Sequence, residues 1–205
     1  MDLKEFRAEI EKLMENDYIR PFICEGSPLD CKIFLVGINP AARMGKSFWT
    51  FWSDSTGMKR EAWLNDYLEQ RKKEAKKQQL GVTRRNINLI FNKINSIVKC
   101  LETNIYTTVT DNVKQLKKNK QALDTSIFEF LLKTIQPSVI YIHGDDVIKY
   151  FEKEIEEDIV IEKDKITRAT FKGVKIKIYA TNHLSRGFGK IKVDCIADKL
   201  VSMHI

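Results

Sequence analysis

Apolar side chains recur at Leu3, Phe6, Ile10, Leu13 and Met14, and this helical spacing predicts an amphipathic helix at the start of the chain. Pro21 and the turn Gly26-Ser-Pro28 follow it. Lys32 to Val36 is a short apolar, β-branched and aromatic run, which predicts a buried strand. A charged helix is expected over Glu61 to Gln79, with Ala62, Trp63, Tyr67 and Leu68 on its apolar face. Thr83 is the expected N-cap of the next helix, through Ile87, Ile90, Phe91, Ile94 and Val98. Asn104 to Val109 reads as a second strand. Asp124-Thr-Ser126 then caps a helix through Phe128, Leu131, Leu132 and Ile135, which Pro137 ends. Ser138 to His143 is the third strand, and Gly144-Asp-Asp146 opens a helix whose acids suit its positive end. Lys165 to Phe171 and Val174 to Ala180 alternate apolar and polar residues around Lys172-Gly173, a hairpin signal. A final helix is expected over Asp194 to Met203.

Strands that alternate with helices predict an α/β fold. The expected form is a three-layer αβα arrangement, with a mainly parallel central sheet of about four strands plus a C-terminal hairpin addition. No repeat, linker or low-complexity tract divides the 205 residues, so one domain over 1–205 is expected. Ligands of open α/β sheets sit at the carboxyl ends of the strands. Those ends are Gly37-Ile-Asn39, Thr107 to Asp111, His143-Gly144 and Thr181-Asn-His183.

Composition narrows the class. With 43% hydrophobic and 31% charged residues the chain is globular in character. No apolar run approaches the ~20 residues that span a bilayer, and the N-terminus is charged from Asp2, so a cytoplasmic protein without a membrane partner is expected. The four cysteines, Cys24, Cys31, Cys100 and Cys195, form no Cys-x-x-Cys pair and read as reduced thiols, not as a metal site. The net charge of +7 is compatible with a polyanionic partner. Basic clusters occur at Arg71-Lys-Lys73, Lys76-Lys77, Arg84-Arg85 and Lys114 to Lys120, whereas acids gather at Glu152 to Asp158.

Two segments carry candidate chemistry. In Gly37-Ile38-Asn39-Pro40, Gly37 permits a sharp turn or a close ligand, and Pro40 stiffens the turn. Asn39 between them offers an amide able to hold a water against an electrophilic carbon. In Asn182-His-Leu-Ser-Arg-Gly187, His183 can donate to a developing oxyanion, while Ser185 and Arg186 can hold phosphates. Gly187-Phe188-Gly189 sets an aromatic between two flexible residues, suited to wedging into a base stack. A third segment, Gly45-Lys46-Ser47, imitates the end of a phosphate-binding P-loop, but the first glycine of that pattern falls on Pro40, which has no N–H to offer.

Together, Gly37-Ile38-Asn39-Pro40 and His183-Leu184-Ser185-Arg186 resemble the two signature motifs of the uracil-DNA glycosylase superfamily. The first is similar to the form in its mismatch-specific and single-strand-selective branches, and Leu184 stands where that family usually has proline. The resemblance implies a monofunctional hydrolase of N-glycosidic bonds in DNA, acting in base excision repair on a base flipped out of the stack. No metal or cofactor is implied, and a monomer is expected. By the same resemblance Asn39 positions the attacking water, His183 stabilises the departing base, and Gly37, Ile38 and Pro40 shape the pocket. Phe51 stands at about the spacing of the family's base-stacking phenylalanine, with Phe48 or Trp49 as substitutes. Ser185, Arg186, Gly187, Phe188 and the pair Arg84-Arg85 would hold DNA. The family reads uracil through an asparagine at the end of the second strand. Thr108 falls at that place here, with Asn112 as a possible stand-in, which leaves the identity of the base open. A catalytically altered nucleic-acid binder of the same fold is the alternative, followed by a P-loop-like nucleotide enzyme.

Overall fold

A computed structural model of the protein describes residues 1–40, 44–73, 80–110, 116 and 123–204. Its centre is a six-stranded sheet built from β1 (Phe22–Cys24), β2 (Ile33–Gly37), β5 (Cys100–Asn104), β6 (Val139–His143), β7 (Ile166–Phe171) and β8 (Val174–Thr181). The spatial order is β1-β5-β2-β6-β8-β7. The inner four strands run parallel, while β1 and β7 flank them antiparallel. A small ribbon of β3 (Trp52–Ser53) and β4 (Gly57–Met58) stands apart. Six helices lie among the described residues: α1 (Leu3–Leu13), α2 (Arg60–Lys73), α3 (Val82–Asn95), α4 (Ser126–Ile135), α5 (Asp145–Glu154) and α6 (Lys190–His204). None is long and apolar enough to cross a membrane.

Alternation along the strands explains the three layers. In β2, Phe34 and Val36 face one core with α1, α4 and α5, while Ile33 and Leu35 face a second with α3 and α6. A strand covered on both faces reads as a continuous apolar run, and for this reason β2 was recognisable from its residues alone. The hairpin is also present, but β8 is itself the fourth parallel strand, and only β7 is an antiparallel addition.

The second strand departs from expectation. It covers Cys100 to Asn104, about four residues before the Asn104 to Val109 suggested by residue preferences. Its middle residue, Glu102, is buried in an ion pair, and strands disfavour Glu and Asn on average. The β-prone Ile105-Tyr-Thr-Thr-Val that follows drew the expected strand too far along. The short β1 was not foreseen, and α6 begins at Lys190, four residues before Asp194. The predicted helix from Glu61 to Gln79 is seen as α2 to Lys73, with 74–79 outside the described residues.

Candidate functional site

The parallel strands bring their carboxyl ends to one rim. Gly37 and Asn104 are register partners across β2 and β5, and His143 and Thr181 across β6 and β8. A cleft of about 300 Å³ opens on this rim. Its polar wall contains Asn39, Asn104, His143 and His183, and Leu35, Ile87, Ile90 and Tyr141 supply apolar lining. Gly37, Ile38 and Pro40 also line it, so the Gly-Ile-Asn-Pro turn and His183 meet as expected.

The turn is held by its neighbour strand. Past the end of β2, Ile105 N–H donates to Gly37 O and Tyr106 N–H to Ile38 O, both at 3.0 Å. The Asn39 side-chain nitrogen then donates to Thr110 Oγ1 at 2.9 Å and approaches the carbonyls of Pro40, Thr108 and Thr110 at 3.2–3.4 Å. Its N–H groups therefore anchor the following loop, and the amide oxygen remains the group able to accept from a water. Thr108 enters only through its backbone carbonyl and is not among the cleft residues, which corrects its expected contact with a base. Asn112 lies outside the described residues.

Asn104 takes the place expected of Thr108. It closes β5 beside Gly37, lines the cleft, and is 5% exposed, yet its Nδ2 has no hydrogen-bond partner among the described residues. A buried amide donor without a partner is uncommon and marks a place where a ligand can act. The missing Cβ of Gly37 makes room for it. A Cβ there would stand 2.7 Å from Asn104 Oδ1 and 3.8 Å from His143 Nε2.

The second motif is braced from below. Leu184 is fully buried, and its carbonyl accepts from Asn86 Nδ2 on α3 at 2.8 Å. His183 Nδ1 lies 2.7 Å from Ser185 Oγ and accepts from the Ser185 N–H at 3.3 Å. That backbone donor assigns the imidazole proton to Nε2. Burial, and then Arg186, lower the pKa of His183, so the ring is neutral near pH 7. His143 meets it edge to face with ring centroids 5.1 Å apart. Burial, helped by His183, pushes the His143 pKa down to about 3. The φ of Gly144 is +95°, and a Cβ at this position would sit 3.3 Å from the His183 ring. Two neutral imidazoles thus share the wall.

Beneath Asn104 lies a buried charge cluster. Arg84 places both terminal guanidinium nitrogens on the Glu102 carboxylate, and Arg20 approaches it at 3.5 Å. Burial pushes the Glu102 carboxyl up, but Arg84, Arg20 and Arg60 outweigh it and hold the pKa at about 2. Burial also lowers Arg20, to about 10.

Several expected contacts move elsewhere. Phe48 and Phe51 are buried in the core, Phe48 edge-on to Phe22 and Trp49, so neither can stack on a base in the cleft. Tyr67, partly exposed on α2, and the buried Tyr141 are the tyrosines that line the cleft instead. Arg84 is committed to Glu102 and is not a phosphate contact, whereas Arg85 is exposed. Phe188 is buried against the core under α6, so it is no exposed wedge; Ser185, Arg186 and Gly187 are exposed around it. Lys46 pairs with Asp66 at 3.2 Å, and Ser47 precedes only a single 3₁₀ turn, so no helix N-terminus awaits a phosphate there. Cys24, Cys31 and Cys100 are buried and Cys195 is exposed. Among the described residues no three His, Cys, Asp or Glu side chains are grouped to hold a metal ion. Asn104 could have been found in the sequence by asking which amide falls level with Gly37, but that needs the register. No protein-family model matches the chain, and no curated protein matches its sequence.

Proposed function

We propose that the protein hydrolyses the N-glycosidic bond of uracil or a related damaged base in DNA. The observation that carries this reading is Asn104, an amide buried at the rim beside Gly37 with an unpartnered donor, in the same cleft as Asn39 and His183. An amide offers one donor and one acceptor side by side, which matches a carbonyl next to a ring N–H. The extruded base would lie across Gly37, read by Asn104. Asn39 would hold a water by its amide oxygen. As the C1′–N bond breaks, its electron pair passes to the base nitrogen and spreads onto the carbonyl oxygens. The neutral His183 donates Nε2–H to that charge. The water oxygen bonds to C1′, and its proton ends on the departing base, so that free base and an abasic sugar result.

The test is release of base from uracil-containing single- and double-stranded oligonucleotides, read as strand cleavage after alkali. Absence of cleavage on both, with DNA still bound, would favour a binder of the same fold instead. Salt dependence is a second readout: affinity for DNA should fall as salt rises if Arg85, Arg186 and the basic end of α2 face the phosphates. Gly37→Ala should displace the Asn104 amide and weaken base recognition by about 1–3 kcal/mol, the cost of leaving a buried polar group unpaired. The fold should survive, because Gly37 sits at the rim. Unchanged excision in Gly37→Ala would remove Asn104 from the reading.

A further inference from the structure

Two imidazoles face the cleft, His183 and His143. His143, at the end of the central strand β6, is 6% exposed and lines the cleft, with Nε2 toward the space left by the absent Cβ of Gly37. Its Nδ1 is sealed from solvent and has no hydrogen-bond partner among the described residues. Orphaned buried N–H groups are rarer than under-satisfied acceptors, so the proton belongs on Nε2. His183 carries its own proton on Nε2 because Ser185 N–H occupies Nδ1. The two rings touch edge to face.

We infer that His143 is a second leaving-group-stabilising residue: its Nε2–H donates to a carbonyl oxygen of the departing base, alongside the bond from His183. The inference rests on the glycosylase reading and deepens it. A donor aimed at developing negative charge accelerates bond breaking because the charge it meets is larger in the transition state than in the bound substrate. Neutral donors suit the task, since a neutral pair of rings can sit 5.1 Å apart without charge repulsion. With the Asn39 oxygen given to the water, the groups left to face the base are three donors, His183 Nε2, His143 Nε2 and Asn104 Nδ2, and one amide acceptor, Asn104 Oδ1. That balance fits a base with carbonyls on both sides of a ring N–H and disfavours bases that present an exocyclic amine.

The test compares uracil with 5-fluorouracil, a more acidic leaving group, in otherwise identical oligonucleotides under single turnover. His143→Leu should slow uracil release about 10²–10³-fold, the usual cost of one oxyanion donor. It should slow 5-fluorouracil release markedly less, because a better leaving group needs less help. His143→Gln, which returns an N–H at similar reach, should recover most of the loss. Equal slowing of both bases, or no slowing, would overturn the assignment and leave His143 a packing residue. If His143→Leu does not fold, the wild-type protein still decides the question: saturation with free uracil should shift the ¹⁵N resonance of His143 Nε2, and an unmoved resonance sinks the idea. If the wild-type protein releases neither base, the glycosylase reading itself fails and this role falls with it.

Discussion

In Asn39→Ala, base release should fall by about 10²–10⁴-fold, the range over which one positioned catalytic group acts. The amide is the polar group of the turn between Gly37 and Pro40, and its nitrogen is bound to the loop at Thr108 and Thr110. Removing it takes away the water's acceptor and the anchor of that loop together. Asn39→Asp separates these effects. A carboxylate keeps an oxygen for the water but cannot donate to Thr110, so this variant should retain more activity than alanine. Single-turnover rates read the chemistry, and binding of an uncleavable abasic analogue reads the loop. Wild-type rates in Asn39→Ala would show that the water is held elsewhere. The melting temperature should change little, because the residue lies on the rim and not in either core.

Glu102→Gln should destabilise the fold by about 3–5 kcal/mol, the cost of removing one member of a buried ion pair. Glutamine preserves the shape of the side chain but leaves Arg84 buried without its carboxylate and Arg20 without its nearest anion. Denaturant titration at neutral pH measures the loss. The same group sets an acid limb. Its folded pKa is depressed to about 2, below the roughly 4.3 of an unfolded Glu. A depressed carboxyl contributes stability above the unfolded pKa and loses it as pH falls through the folded one. Wild-type stability should therefore decline between about pH 5 and 2 by more than the variant's does. Parallel acid curves for the two proteins would mean that the cluster is not charged as described. Because Asn104 is two residues along the same strand, the variant should also impair base release.

How much of this was legible in the chain depends on the range over which each signal acts. Helices α1, α3, α4 and α5 follow from a period that depends only on nearby residues. β2 and its turn follow from an apolar run ended by Gly37 and Pro40. Asn39 and His183 were identifiable because each stands in a short motif. Asn104 was not, since the end of a strand is set by its pairing with another strand, and Glu102 hides β5 from any preference-based reading. Neighbouring arginines show the same limit. Arg84 and Arg85 look alike in sequence, but a step of about 100° around a helix turns one into the core and the other to solvent.

Phe48 and Phe51 make the point for apolar residues. Their sequence shows that they need a covering surface, and only the packing of both in one core, Phe48 edge-on to Phe22, decides that this surface is the core and not a bound base. The sequence by itself determined the α/β class, the order of most elements and the two motifs, because these rest on local periodicity and local turn chemistry. The tertiary structure alone decided which amide stands beside Gly37, which arginine is buried, and that His143 joins His183 at one cleft. Those facts depend on strand register and on charge burial between residues far apart in the chain, and neither leaves a local trace.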